Sequence, residues 1–236
     1  MEERKVIIGI DFGLNKTICY CYNEETNEFE RLRFLGKTSI LSCVSFHNNR
    51  ACVGFETEKS IKGVKRIIGR RYNDPHVQEL INPGYYHCPI VEDEDGYCKF
   101  IVQPENSNKK YEFKPEEIVA MIFKEIGREI MREFGLLKEN QIEAVVTVPA
   151  YFDEEQKDRM KRAVFISGMK LLDIIDKPTA VSHAYRLFEK RNGNYLVYDL
   201  GRETFNASII QIQRNKGNVI SFDYDYHLGR SGRAHV

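Results

Sequence analysis

The chain contains Val-Ile-Ile-Gly-Ile-Asp-Phe-Gly at residues 6–13 and Tyr-Leu-Val-Tyr-Asp-Leu-Gly at residues 195–201. Both are apolar stretches that end in Asp-x-Gly. A second apolar stretch follows each of them, at 17–22 and at 204–210. The chain therefore predicts the same β-hairpin twice, although a single Asp-x-Gly turn is typical of ordinary strand ends. A carboxylate beside a glycine turn can hold a hydrated metal ion next to phosphates. Two such hairpins facing each other would form a nucleotide cleft.

Three segments between the hairpins make the pattern specific. They are Val-Lys-Arg-Ile-Ile-Gly-Arg-Arg at 64–71, Ala-Val-Val-Thr-Val-Pro-Ala-Tyr-Phe-Asp at 144–153, and Leu-Leu-Asp-Ile-Ile-Asp-Lys-Pro-Thr-Ala at 171–180. With the hairpins, they resemble in sequence order the ATPase domain of the seventy-kilodalton heat-shock chaperones, over residues 5 to about 229. The resemblance implies an α/β chain with the actin-like ATPase (ribonuclease H-like) fold.

The resemblance also implies an organisation into lobes. Residues 1–190 would form a complete first lobe, with an inserted subdomain at about 38–113 that carries Lys65. Residues 191–236 would form a truncated second lobe, because no helix, strand and helix follow its three predicted strands. The family's interdomain linker and peptide-binding domain are then expected to be absent, and chaperone activity is only a family label here.

Periodicity and turn residues predict the individual elements. Apolar residues recur at helical spacing after Lys114-Pro115, which predicts a long helix packed on a sheet. The other predicted elements are strands at 29–34, 43–46, 99–102, 142–148, 171–175, 195–200, 204–212 and about 218–226, and helices at 57–68, 153–168 and 179–190. The acidic loop 92–96 is expected to be a solvated hairpin tip.

Composition narrows the function classes. The 236 residues suffice for one large domain or two small ones, and 35 basic residues balance 35 acidic ones. No overall charge attracts nucleic acid or an anionic membrane, and no apolar run approaches the ~20 residues that span a bilayer. The charged start of the chain predicts a soluble, cytoplasmic protein. The six cysteines show neither metal nor redox spacing and are expected to be small core residues.

The resemblance assigns roles to the residues of the two hairpins. Asp11 and Asp199 would hold magnesium through water, and Lys65 would reach the γ-phosphate and orient the attacking water. The implied ligand is ATP or ADP with magnesium. The residues expected to lie along the nucleotide are Gly13, Asn15, Lys16, Gly201, Arg202 and Thr204.

Several positions depart from the family pattern. Lys177 replaces a Glu that acts with the two Asp residues around the metal, and Arg202-Glu203 replaces two glycines of a phosphate-cradling run. Leu14-Asn15-Lys16 stands where the family has two threonines and one further residue, so a phosphate-contacting hydroxyl is lost. Asn206 replaces an Asp. Residues 229–233 replace a Gly-Gly-Glu-Asp-Phe stretch. The departures predict a degenerate, hydrolytically inactive relative.

Four alternatives stay open. Lys177, Arg202 and Lys16 could supply positive charge in place of magnesium, so that nucleotide binds without hydrolysis. The chain could be a working ATPase, or an interaction module that keeps a first-lobe surface used by co-chaperones. A sugar kinase of the same superfamily is disfavoured by residues 148–152 and by the context of Lys65. The expected partners are nucleotide, co-chaperones and a second copy held through the truncated lobe, without nucleic acid or membrane.

Overall fold

In the computed structural model, the chain is described at residues 5–23, 27–34, 36–47, 50–81, 84–104, 107–214 and 216–228. The helices are α1 (Pro75–Ile81), α2 (Pro115–Phe134), α3 (Glu154–Ser167) and α4 (Lys177–Ala184), with short 3₁₀ turns at Val64–Arg66, Glu139–Gln141 and Leu187–Glu189. The strands are β1 (Val6–Phe12), β2 (Lys16–Asn23), β3 (Glu28–Arg31), β4 (Ile40–Leu41), β5 (Cys43–His47), β6 (Arg50–Val53), β7 (Ile61–Lys62), β8 (Ile90–Glu92), β9 (Cys98–Val102), β10 (Tyr111–Phe113), β11 (Ile142–Val148), β12 (Lys170–Asp176), β13 (Gly193–Leu200), β14 (Phe205–Gln213) and β15 (Lys216–Asp225).

The chain divides into two compact units. The first unit comprises residues 1–146 and 154–173, and the second comprises residues 147–153 and 174–236. The largest sheet has the order β12-β11-β1-β2-β3, with β4 beside β2, and two three-stranded sheets have the orders β10-β9-β8 and β6-β5-β7. The second unit contains the antiparallel sheet β13-β14-β15. The division at lobes 1–190 and 191–236 concerns the family architecture and stays a prediction.

Helix α2 organises the core of the first unit. Its apolar stripe is confirmed, since Ile118, Ile122, Ile126 and Ile130 are fully buried. The helix begins at Pro115 and ends at Phe134, and the left-handed backbone of the next residue, Gly135 (φ 65°), closes the last turn. This end fits glycine because a side chain is strained at such a φ.

A smaller core lies on one face of the second unit's sheet. Leu187, Ile210 and Ile212 are buried there, and Phe188, Tyr195, Val197 and Val219 pack partly against them. The predicted strands of this unit are confirmed to within two residues, at 193–200, 205–213 and 216–225.

The predicted helix at 57–68 is wrong. The segment contains β7 and a 3₁₀ turn at Val64–Arg66 instead. Gly63 has φ 68°, outside the helical region, and a Cβ there would lie 2.6 Å from the Tyr85 hydroxyl. The Ser60 hydroxyl accepts the Thr57 N–H at 2.8 Å, which is a local bond that competes with helix.

One helix boundary and the burial of one loop residue also differ from prediction. The helix predicted at 179–190 ends at Ala184, because Arg186 adopts a left-handed backbone (φ 50°) before the 3₁₀ turn that contains buried Leu187. Loop 92–96 does join two antiparallel strands, but Asp93 is buried rather than solvated. Its carboxylate accepts the N–H groups of Asp95 and Tyr97 and lies 3.0 Å from the Lys114 ammonium. These backbone and lysine partners lower the pKa of Asp93 despite its burial.

Candidate functional site: two strand-turn hairpins

The first hairpin closes tightly at its glycine. The Gly13 N–H donates to the Lys16 carbonyl at 3.1 Å, and a Cβ on Gly13 would lie 2.4 Å from that same oxygen. Any side chain at this position would have to displace the backbone. Asp11 lies at the end of β1, half-buried and opposite Ile18 of β2. The hairpin therefore places the predicted carboxylate two residues before a turn that only glycine fits.

Lys65 lies against this hairpin. Its ammonium donates a hydrogen bond to the Phe12 carbonyl and sits 5.6 Å from the centre of the Phe12 ring. Lys65 is 5% exposed, although lysine is rarely buried without a partner. The 3₁₀ turn Val64–Arg66 carries it to this position across 53 residues of sequence. The structure thus brings together the predicted lysine and the predicted first hairpin.

Sequence reasoning missed a hydroxyl pair at the same turn. The Thr17 and Ser42 hydroxyls lie 2.9 Å apart, and both residues are buried. The Ser42 N–H also donates to the Asn15 carbonyl at 2.8 Å. These bonds fix the loop of the first hairpin from the side of β4. No local pattern signals them, because Thr17 and Ser42 are 25 residues apart.

The second hairpin repeats the closure in a more open setting. The Gly201 N–H donates to the Thr204 carbonyl at 2.8 Å, and a Cβ on Gly201 would lie 3.1 Å from that oxygen. Asp199 lies opposite Asn206 across the β13–β14 pair, and its side chain is 39% exposed. Thr204 and Glu203 are half-buried, and Arg202 is exposed.

Lys177 meets the carboxylate of the second hairpin. Its ammonium lies 3.8 Å from Asp199 Oδ2, with the lysine side chain 26% exposed. Lys177 is the first residue of α4. Asp176 caps the N-terminus of this helix, because its carboxylate accepts the Thr179 N–H at 2.8 Å. A lysine here is unfavourable for the helix dipole, so its ion pair with Asp199 offsets a local cost. Asp176 is committed to the cap and does not replace the missing acid.

The remaining predicted residues lie at the tips of the hairpins. Asn15 is half-buried and Lys16 is exposed in the first turn. Asp11 belongs to the first unit and Asp199 to the second. The replaced stretch 229–233 lies outside the described residues.

The side chains at the two hairpins can be tested for their fit to a magnesium ion. Mg²⁺ prefers oxygen ligands, and each hairpin offers one carboxylate, Asp11 in the first and Asp199 in the second. Beside Asp199, however, a divalent ion would also meet the Lys177 ammonium, and the repulsion is on the order of several kcal/mol at ~5 Å even with an effective dielectric of ~20. The second hairpin as folded does not fit a divalent ion. Among the described residues, no cluster of three or more His, Cys, Asp or Glu side chains is arranged to hold a metal.

Four of the six cysteines belong to the core. Cys19, Cys21, Cys43 and Cys98 are buried, and Cys52 and Cys88 are half-buried. Burial, followed by the charge of Asp11, raises the pKa of the Cys19 thiol. Burial also raises the pKa of Cys98 to about 12. Thiols held in the neutral form are poor nucleophiles and metal ligands.

Comparison with known proteins identifies the family. A model of the family described as Hsp70 protein matches residues 7–233. The chain belongs to the Hsp70 family. The matched residues correspond to the N-terminal ATPase region of Hsp70, so the predicted α/β, actin-like fold is confirmed.

Individual Hsp70 relatives give the same result. The chain is 34% identical to a heat shock protein 70 homolog of Acanthamoeba polyphaga mimivirus over 94% of its own length and 25% of the viral protein's. It is 34% identical to a heat shock 70 kDa protein of Neurospora crassa, over 94% of its own length and 34% of the fungal protein's. It is 31% identical to a chaperone protein HscA homolog of Rickettsia africae, over 97% and 36% respectively. The chain therefore spans about a quarter to a third of the length of these Hsp70 relatives.

No helix among the described residues of this Hsp70 chain is both long and apolar enough to cross a membrane.

Proposed function

We propose that this chain is an Hsp70-type nucleotide-binding region that does not hydrolyse ATP and whose affinity for nucleotide depends little on magnesium. The observation that carries the proposal is the 3.8 Å approach of the Lys177 ammonium to Asp199 Oδ2. Phosphoryl transfer relies on positioned charge around phosphate and metal. An ammonium paired with the metal-side carboxylate opposes the divalent ion, and it cannot orient an attacking water as a carboxylate does.

The first hairpin supports retained binding. Gly13 keeps the closed turn, and Lys65 keeps a buried ammonium at the Phe12 carbonyl. Asp11 remains at the strand end. In the proposed function, Lys65 carries positive charge to the phosphate end and the hairpin backbone supports it. A working ATPase is the second candidate, because these parts of the first hairpin are intact.

The second hairpin supports the loss of hydrolysis. Arg202 and Glu203 stand where the family has glycines, so side chains occupy positions at which a glycine backbone would leave room for phosphate. Glu203 also adds negative charge on the side where phosphate would lie. In the proposed function, Lys177 and Arg202 of this unit supply fixed positive charge of the kind that magnesium supplies elsewhere.

The proposal includes the wider setting. Residues 1–190 form the first lobe, with an insertion at about 38–113, and residues 191–236 belong to the second lobe. The protein is cytoplasmic, and its proposed partners are ATP or ADP, co-chaperones that recognise the first lobe, and a second copy of the chain.

Calorimetry with ATP, with magnesium and with a chelator, tests the binding proposal. We expect weak affinity that changes less than about two-fold on chelation, since the ammonium already neutralises Asp199. Lys177→Glu should make the affinity rise with magnesium, whereas Lys109→Glu, an equal charge change in an exposed loop, should not. Tight binding by the unaltered chain that disappears on chelation would refute the proposal.

Hydrolysis is tested in a fusion of this chain to the rest of the ATPase region of an Hsp70 relative. The unaltered fusion should not turn over ATP, and Lys177→Glu should restore part of the activity because it restores the metal-side acid. If the unaltered fusion hydrolyses ATP at a rate that Asp11→Ala removes, the site is catalytic.

A further inference from the structure

The outer edge of β15 is the longest open strand edge in the described part of the chain. β15 is ten residues long and pairs on one side with β14, and no described strand pairs with its other side. An open edge presents backbone N–H and C=O groups that another strand can extend. Ile220 is 50%, Phe222 46% and Tyr224 39% exposed. The edge therefore offers both backbone and apolar surface.

A bulge divides β15 into two halves. Ile209 of β14 lies opposite Ser221, but its neighbour Ile210 lies opposite Val219, so Ile220 has no opposite residue. The inserted residue changes which side chains share a face. Val219 before the bulge and Phe222 after it both lie on the face of the small core.

This arrangement makes β15 complementary to itself. When the strand runs antiparallel to a copy with Lys216 opposite Asp225, all ten residues have a partner, and Val219 faces Phe222 on the core face. On the other face, Asn218 lies opposite Asp223. A shift by one residue would set core-face side chains against the opposite face, so it breaks this match. The matched register places each lysine against a carboxylate and each Val219 against an aromatic ring.

We propose that two copies of this chain associate by pairing β15 with β15, which joins two three-stranded sheets into one continuous six-stranded sheet. The symmetry is two-fold, so each cross-strand contact occurs twice. The partner is a second copy because Lys216 and Asp225, at the two ends of β15, lie opposite each other when a copy of the strand runs antiparallel to it. This inference specifies the self-association in the proposed function, and it does not depend on nucleotide binding or hydrolysis.

Two substitutions at Asn218 test the register by the sign of their effect. Asn218 is exposed and would face Asp223 of the other copy. Asn218→Lys should tighten the dimer and Asn218→Asp should weaken it, each roughly three- to ten-fold because two symmetric pairs change. Sedimentation equilibrium without nucleotide measures the dissociation constant, and circular dichroism verifies that each variant folds.

A lysine in the apolar part of the edge tests the surface. Phe222→Lys should abolish the dimer, because in each copy it places an ammonium group against Val219 of the other copy. Leu196→Lys is the matched control: Leu196 is 68% exposed on β13, at the other edge of the same sheet, and this change should leave the dimer intact. An unaltered chain that stays monomeric at its highest soluble concentration overturns the proposal. So does a dimer that responds to Leu196→Lys and not to the substitutions at 218 and 222.

Discussion

The two hairpins of this chain have the same turn and bury opposite faces. Both close through a glycine N–H, to the Lys16 carbonyl at 3.1 Å in the first and to the Thr204 carbonyl at 2.8 Å in the second. Ile10 precedes the first Asp-x-Gly and is 0% exposed, whereas Tyr198 holds the same place in the second and is 63% exposed. An identical local pattern therefore leads to two different environments.

The covering elements account for this difference. In the first unit, α2 reaches the face of Phe12, whose ring meets the Phe123 ring edge-on at 5.4 Å between centres. In the second unit, Leu187 belongs to the small core on the face that includes Ile210, and Asp199 and Lys177 meet on that same face. The Asp-x-Gly signal specifies a turn, and the element that packs on the sheet decides which face is buried.

The largest expected effect compares the matched positions directly. Ile10→Ala should destabilise the first unit by about 2–5 kcal/mol, because it leaves a cavity in a close-packed core. Tyr198→Ala should cost about 1 kcal/mol or less, mainly for its ring contact with Phe205 at 4.7 Å between centres. Urea unfolding followed by circular dichroism gives the free energies, and hydrogen exchange locates them in the chain. Equal costs would mean that the exposed face of β13 is covered in solution.

We expect acid to destabilise the first unit through His76. The pKa of His76 is lowered from 6.5 to about 4, first by burial and then by the charges of Arg70 and Arg66, against which Asp74 and Glu79 act. The folded state thus favours neutral imidazole. The resulting stability is complete above pH 6.5 and is lost as the pH falls towards 4, by up to about 3 kcal/mol.

Thermal unfolding between pH 7 and pH 4 checks this pH dependence. His76→Gln should flatten the loss of stability over that range, and His87→Gln, at an exposed position in the same unit, should not. An unchanged pH profile for His76→Gln would exclude this histidine as the cause.

The smallest expected effect compares the two turn glycines. A Cβ on Gly13 would lie 2.4 Å from a backbone oxygen, so Gly13→Ala forces the turn to move and should cost about 1–3 kcal/mol. On Gly201 the nearest atom is 3.1 Å away, and a small adjustment suffices, so Gly201→Ala should cost under about 1 kcal/mol. Melting temperatures of the two variants test the order, and the reverse order would contradict the geometry of the first turn.

Local signals predicted much of this fold. The two hairpins, α2 and β11 were predictable because alternation, helical spacing, proline and glycine act within a few residues. The helix predicted at 57–68 was wrong because Gly63 and the Ser60 hydroxyl favour another backbone path. Asp93 was expected in solvent because its sequence neighbours are charged, and it is buried because the distant Lys114 meets it.

The sequence by itself determined the family, the positions of the two turns and the exchange of an acid for Lys177. It also identified Lys65 and Asp11 as candidates for phosphate chemistry. Tertiary structure decided that Lys65 reaches the Phe12 carbonyl, that Thr17 meets Ser42, and that Lys177 pairs with Asp199. The physical reason is how far apart in sequence the interacting residues lie. Turn and helix preferences depend on neighbours along the chain, whereas contacts across 25 or 53 residues form only when sheets and helices pack.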